Sequence, residues 1–487
     1  MNYYIGLDLG TSGIKGVVFD ALGNVIASYL EEYDIISIEK GYAEENPNVW
    51  YEKTIEVLKK IGKLDFCKNI KGLALSGQMH GLVLLDENDN ALRNSIIWCD
   101  NRTDNERDIL KNEITDEKLK AITGNIAMSA FTLSKLLWVK NNEPDIYNKI
   151  DKVMVPKDYI NYKLTSSFCA DYSDTSGMQI MDINKMEYSK ELLKHFNIPI
   201  AWFGKLKESS QIIGYLNKEV EECTGLSNVF VCAGAGDQAA GALGNGIVNS
   251  SDLSIVLGSS GVVYSPTDSL YIAPNGEVQS FVTAIKGRYH IMGVTNGCGT
   301  SLKWLRDNLF NKGYNEMMDL AANVKCGANG LYYLPYLMGE RTPILDSNAK
   351  GVFIGIKNTT SKGELIRAVI EGVGYSIKDC YNLINDEKSK VLISGGGAKS
   401  LLYKKIIASM INKPLIQIKQ DEGPALGAAM LAMLANGEYK DFDECISKII
   451  TVDNITYPVA EWVDAYDNGY KIYKKLYLNN KDIFKEI

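Results

Sequence analysis

The sequence predicts an α/β protein built from two similar halves with a cleft between them. Three observations lead there. Short apolar runs such as Ile70 to Leu75 and Val229 to Ala233 alternate with helical stretches, the pattern of α/β architecture. The chain has 487 residues, whereas a single core stops growing near roughly 250–300. A Gly/Ser/Thr turn near the start, Leu9-Gly10-Thr11-Ser12-Gly13, is echoed near the middle by Leu257-Gly258-Ser259-Ser260-Gly261, and each follows one apolar strand and precedes another. The boundary falls near Gly246–Ser251, where Asn249-Ser250-Ser251-Asp252 breaks the pattern, giving halves 1–247 and 248–487. A cleft between two such domains is the natural ligand site.

Taken in order, Tyr4 to Asp8 reads as a strand that turns at Gly10–Gly13 and resumes from Ile14 to Phe19. A second turn at Ala21-Leu22-Gly23-Asn24 leads to Val25-Ile26-Ala27. Glycine and hydroxyl residues in the first turn let a backbone approach a ligand and aim N–H groups at an anion. Asp8, just before it, is placed to hold Mg²⁺ beside phosphates. An isolated turn of this kind is more often a plain hairpin; the second copy and the adjacent carboxylate favour a phosphate grip. No Gly-x-x-x-x-Gly-Lys-Ser/Thr loop occurs.

The strand Ile70 to Leu75 runs into Ser76-Gly77-Gln78-Met79-His80-Gly81. Gln78 and His80 suit a neutral polyol, although a lone histidine is more often structural and Met79 reads equally as core. After Val229 to Ala233 comes Gly234-Ala235-Gly236-Asp237-Gln238-Ala239, which partly satisfies a dinucleotide fingerprint. It would also set the Asp237 carboxylate where a pyrophosphate sits. The better reading makes Asp237 the acceptor of a substrate hydroxyl proton, a weak base because a helix N-terminus favours its charged form. Ser361 with Glu364 forms a capping-box signature ahead of Ile366, Val369, Ile370, Val373 and Ile377 at helical spacing. Val391-Leu392-Ile393 then leads to Ser394-Gly395-Gly396-Gly397-Ala398, either a backbone seat for a nucleoside or a strand-to-helix turn.

Composition narrows the function. A hydrophobic fraction of 46% is that of an ordinary globular protein. A net charge of -8 argues against a nucleic-acid binder, which needs a basic stripe. No apolar run approaches the roughly 18–20 residues of a membrane span, and Met1-Asn2-Tyr3-Tyr4 runs straight into structure with no basic and apolar leader. Nine scattered cysteines, never as Cys-x-x-Cys, fit reduced thiols in the cytoplasm. With only His80, His195 and His290, a histidine-rich zinc centre is excluded.

These residues resemble the FGGY family of carbohydrate kinases, within it the branch acting on D-xylulose. The matching stretches span Tyr4 to about Ala435: Gly6-Leu7-Asp8-Leu9-Gly10-Thr11-Ser12, Ser76 to Gly81, Ile97-Trp98-Cys99-Asp100 with Arg102, Lys135 to Trp138, Pro156-Lys157-Asp158-Tyr159, Gly236-Asp237, Leu334-Pro335-Tyr336, Gly339 to Pro343, Gly351 to Glu371 and Gly423 to Ala428. The resemblance implies two actin-like (ribonuclease H-like) ATPase domains flanking a central catalytic cleft, with ATP and Mg²⁺ as cofactors. It makes Asp237 the catalytic base and Asp8 the residue that positions Mg-ATP and holds the metal. Gly10, Thr11, Ser12 and Gly13, with Lys15 beyond them, and Gly258, Ser259 and Ser260 would contact phosphates. Gly395, Gly396 and Gly397 would contact adenosine, and Gln78, Met79 and His80 would line the sugar pocket. Family members often dimerise, so a homodimer fits the resemblance. The chain departs from the pattern at Gln238, where Asn is frequent beside the base, at Ser134 for Pro, and at Ser259 for Thr.

The expected reaction is ATP + D-xylulose → ADP + D-xylulose 5-phosphate. Three rivals remain: the same chemistry on glycerol, ribulose or gluconate; an actin-like ATPase that needs no sugar; and a nicotinamide-dependent dehydrogenase resting on Gly234 to Ala239.

Overall fold

A computed structural model describes residues 1–384, 388–420 and 422–487. The opening hairpin forms as its turn residues dictate: β1 (Tyr3–Gly10) and β2 (Gly13–Asp20) pair antiparallel, and β3 (Val25–Glu32) continues the meander. β4 (Ile70–Gly77) lies parallel to β1, and β5 (Ile212–Tyr215) and β6 (Phe230–Cys232) extend the sheet to the order β5-β6-β4-β1-β2-β3. A two-residue strand, β7 (Ala235–Gly236), pairs with the end of β4.

The second sheet repeats this plan. β8 (Asp252–Leu257), β9 (Gly261–Thr267), β10 (Gln279–Val282) and β11 (Tyr289–Thr295) are followed by β12 (Lys390–Ser394), β13 (Leu415–Ile418) and β14 (Val452–Thr456). Their order is β10-β11-β9-β8-β12-β13-β14. An antiparallel meander (β8, β9, β11) is flanked by two parallel strands (β12, β13) and an antiparallel edge (β14). In the first sheet β1, β2, β3, β4, β6 and β5 hold the same places. The registers make the match residue by residue: Asp8 faces Ser76 across β1 and β4, and Val256 faces Ser394 across β8 and β12. The glycine-rich echo is thus the same turn in two copies of one topology, with three residues between paired Leu257 and Gly261 against two between Gly10 and Gly13.

Each sheet has its own core, one around Ile5, Leu7, Leu73 and Leu75, the other around Leu253, Ile255, Val391 and Ile393. The capping box forms at Ser361 and Glu364, and the helix it starts, Lys362–Leu383, buries Ile366, Val369, Ile370, Val373 and Ile377 as the spacing predicts. We divide the chain at 247/248, between the helix Asp237–Gly244 and β8. The helix Gly423–Ala435 returns to the first sheet, packing with Tyr4, Val17, Phe19 and Ala74. It meets the helix Asp237–Gly244 so closely that a Cβ on Gly427 would lie 1.8 Å from the Ala240 carbonyl oxygen. The two helices follow equivalent strands, β6 and β13, and bring both strand ends to one cleft. Among the described residues no helix is long and apolar enough to cross a membrane, and all nine cysteines are free.

Candidate active site

Asp237 opens its helix directly after Gly236 and lines a cavity of about 770 Å³. Gly258 and Ser260 of the second turn and Gly395 line the same cavity from the other half. A second cavity of about 1100 Å³ is lined by Gly258, Ser259, Gly396 and Gly397, with Tyr314 and Trp462 among its walls. Gly258 and Lys399 border both. A long polyanionic ligand can therefore run from one to the other past a lysine that sequence reading missed; its only signal was its place two residues beyond the glycine cluster.

The three glycines of that cluster differ in their reasons. Gly395 has φ +87° and its missing Cβ would fall 2.7 Å from the Leu257 carbonyl oxygen, so the fold itself requires glycine there. A Cβ on Gly396 would meet nothing within 4 Å. The bare backbone at Gly396 faces the cavity, which suits close approach of a ligand.

On the first half, Asp8 lies two residues before the end of β1, half-buried, and its burial pushes the carboxyl up to about 6. Burial, and then the charge of Asp8, push Asp237 up to about 7. This corrects the weak base expected from a helix N-terminus: desolvation and a like charge outweigh the helix end. A base of that affinity is well matched to accepting a proton near neutrality.

The sugar loop after β4 is built from long-range contacts. His80 has φ +68° and its Nδ1 lies 2.7 Å from the Gly177 carbonyl oxygen. Nδ1 is therefore the donor, which leaves Nε2 as an acceptor. Burial, reinforced by the Lys135 charge, holds the ring neutral with a pKa near about 3. Lys135 Nζ donates to the His80 carbonyl at 2.8 Å. Met79 packs over Gly236, where a Cβ would sit 2.9 Å from Met79 Cγ, so the loop touches the residue before Asp237. Gln78 is buried, and its Nε2 donates to Glu45 Oε2 at 2.8 Å, a carboxyl that burial pushes up to about 7. Thr11 joins the two loops: its hydroxyl donates to Gln78 Oε1 at 3.3 Å and accepts from Trp98 Nε1 at 2.9 Å. Glu45 and Trp98 carried no signal of their own in the sequence.

Gly10, Thr11, Ser12 and Gly13 line neither of the two cavities. Lys15, expected at the phosphates, has its Nζ 2.6 and 2.5 Å from the two carboxylate oxygens of Glu422. Among the described residues no group of three or more His, Cys, Asp or Glu is arranged to hold a metal. That is compatible with Mg²⁺, which keeps most of its waters and takes one or two carboxylates plus substrate phosphates; Asp8 is the carboxylate that would serve it.

Comparison with known proteins agrees with this geometry. Residues 3–244 match the N-terminal domain, and residues 253–436 the C-terminal domain, of the FGGY family of carbohydrate kinases. A xylulose kinase of Staphylococcus epidermidis is 36% identical over 490 residues, covering 99% of this chain and 98% of that protein. The crystal structure of a ligand-bound xylulose kinase from Lactobacillus acidophilus superposes with a TM-score of 0.95 at 28% identity, covering 100% of both chains. A gluconate kinase from the same organism gives 0.95 and 28%, covering 100% of this chain and 99% of that one. With both halves matched in order and the actin-like two-domain fold in place, this chain belongs to the FGGY family of carbohydrate kinases and is a sugar kinase.

Proposed function

We propose that this kinase transfers the γ-phosphoryl group of ATP to the terminal hydroxyl of D-xylulose, giving ADP and D-xylulose 5-phosphate. The observation that carries the reading is Asp237, with a pKa near about 7, lining one cavity together with the Gly258–Ser260 turn of the opposite half. Asp237 accepts the proton of the attacking hydroxyl as the bond to phosphorus forms and the bond to the ADP oxygen breaks. Phosphoryl transfer has a loose transition state, so holding both partners in line matters more than base strength. Asp8 would hold Mg²⁺, which when bound neutralises charge on the phosphates. Gly258, Ser259 and Ser260 offer the triphosphate N–H and hydroxyl donors, and Gly395 to Gly397 lie along the adenosine.

The substrate follows from the loop after β4. Gln78, Met79 and neutral His80 offer polar atoms and an apolar wall that suit a neutral ketose, with the charges of Lys135 and Arg341 acting on His80 from nearby. The names borne by the relatives support the same choice. ADP release with Mg-ATP, measured for D-xylulose, D-ribulose, L-ribulose, glycerol, gluconate and a no-sugar control, tests it. Strong dependence on D-xylulose is expected. Preference for another acceptor would overturn the substrate and leave the kinase, and release indifferent to every sugar would overturn both.

A further inference from the structure

The segment that delivers Asp237 to the cleft has little secondary structure of its own. Ala235 and Gly236 pair with Ser76 and Gly77 at the end of β4, and the N–H groups of Ala233 and Gly234 donate to the carbonyls of Gln211 and Ser209, each at 3.0 Å. Behind it lies a wholly buried polar cluster that the reaction does not use. Lys157, with no exposed surface, donates from Nζ to Asp158 Oδ1 at 2.5 Å and lies 3.0 Å from Asp171 Oδ1. The same ammonium reaches the carbonyl of Ala233 at 3.1 Å, and Asn161 Nδ2 donates to that carbonyl at 2.8 Å. Asp171 caps the short helix Tyr172–Ser176 and accepts the Ser173 hydroxyl at 2.5 Å. With its hydrogen committed to Asp171, Ser173 Oγ accepts the N–H of Gly236 at 3.0 Å. The segment is thus held at its first carbonyl and at its last N–H, one residue before the carboxylate.

A buried ionic cluster is a poor device for stability, since apolar residues of similar volume often do as well or better. Both carboxylate oxygens of Asp174, in the same cluster, are buried without a hydrogen bond, Oδ2 lying 4.0 Å from Lys157 Nζ, a further cost. What such a cluster does provide is direction: fixed donors and acceptors that permit one backbone path. We infer that Lys157, Asp171 and Ser173 are positioning residues for phosphoryl transfer, forming a clamp that sets where the Asp237 carboxylate meets the acceptor hydroxyl. The inference rests on Asp237 being the base.

Ser173→Ala removes the acceptor of the Gly236 N–H and little volume. Ser209→Ala is its control, because the Ser209 hydroxyl bonds Asp171 at 3.1 Å, whereas the tie of Ser209 to the segment is its backbone carbonyl, which accepts the Gly234 N–H and survives the substitution. With the best acceptor of the sugar panel, Ser173→Ala is expected to lower kcat by about 10–100-fold, the cost of a small misplacement. KM for sugar and for ATP should stay within about twofold, the signature of an interaction used only in the transition state. Ser209→Ala should keep kcat within about twofold, and both variants should lose similar stability. Ser173→Thr, which keeps the hydroxyl, should recover most of the rate. Lys157→Ala would strand three buried carboxylates and is a poor probe, whereas Asn161→Ala leaves Lys157 on Ala233 and should give a milder loss of kcat at constant KM. Equal losses in Ser173→Ala and Ser209→Ala, or no loss in Ser173→Ala and Asn161→Ala, would overturn the clamp. Asp237→Asn is measured beside them. If it is inactive while Ser173→Ala is normal, only the clamp fails; if it transfers normally, the base assignment fails and takes the clamp with it.

Discussion

At the strand ends facing the cleft, the first half carries Asp8, Gln78, Met79 and His80, and the register-equivalent positions of the second carry Val256, Gly396, Gly397 and Ala398. Both sets hang from equivalent pairs of parallel strands, β1 with β4 and β8 with β12. The first set has a charge, an amide, a thioether and an imidazole; the second has no polar side chain at all. On the proposed reading, one scaffold would hold a small polar molecule by side chains and a large flat one by bare backbone, which glycine makes accessible, so that the reacting chemistry falls to one half and the phosphoryl donor to the other. The two helices that pack between the halves show the same division, since Asp237 starts one and Gly423 the other.

The sharpest way to test that division is to neutralise the first half. Asp237→Asn is expected to lower kcat by about 10²–10⁴-fold, the range for a lost general base, while ATP affinity measured by titration calorimetry changes little. The wild-type enzyme adds a pH signature. Because the base must be charged and its affinity lies at about 7, kcat/KM should fall as pH drops below about 7. Stability runs the other way. The folded state binds this proton more tightly than the unfolded chain, whose value is 3.8, so raising the pH from about 4 to about 7 costs stability. Asp237→Asn removes that cost and should melt at a higher temperature than wild type at pH 8. A variant that lost activity and melted lower would separate catalysis from the strain of burying this charge.

A second substitution breaks the comparison from the other side. Val256 stands where the first half has Asp8, and it lines the cavity that Asp237 shares with Gly258 and Ser260. Val256→Asp would make the halves alike in charge and set a carboxylate against the triphosphate path. Like charges a few ångströms apart in a partly desolvated cleft repel by more than about 1 kcal/mol, so KM for ATP should rise about tenfold or more. Sugar binding measured without nucleotide should be untouched. An unchanged KM for ATP would mean that the phosphates do not pass β8.

How far the sequence could be read follows from how far apart the interacting residues lie. The opening hairpin, the repeated turn and the capping box at Ser361 are local, set by glycines, hydroxyls and one Ser/Glu spacing, and each formed as expected. The α/β class and the two halves followed from periodicity and length. The ion pair of Lys15 could not be read from the sequence because its partner, Glu422, is 407 residues away and arrives on a chain segment that returns to the first half. The strength of Asp237 was misread because a helix start is visible in sequence, whereas burial and the neighbouring Asp8 are not. His80 gained a role only by resemblance; its neutral state depends on burial, against Phe131 and Phe281 among others, and on the charge of Lys135, 55 residues away. Trp98 was visible only as part of a family-like stretch and Glu45 not at all, since their task is to fasten Thr11 and Gln78 across loops distant in the chain.

The smallest expected effect probes the second half alone. Gly395 and Gly396 are adjacent and chemically identical, yet one is required by the protein and the other faces the space a ligand would fill. Gly395→Ala must adopt φ +87° and push a methyl toward the Leu257 carbonyl, so it should lower the melting temperature whether or not nucleotide is present. Gly396→Ala meets no protein atom, so the apo enzyme should melt as wild type. Its methyl would stand between the backbone and the adenosine, and KM for ATP should rise by about 3–10-fold, roughly the cost of one misplaced methyl group. The sugar loop carries Gln78 at the equivalent place, so bulk there is a matter of ligand and not of fold. If Gly396→Ala bound ATP as tightly as wild type while Gly395→Ala was unstable, the glycine cluster would serve only the turn, and the adenosine would have to rest on the walls formed by Tyr314 and Trp462.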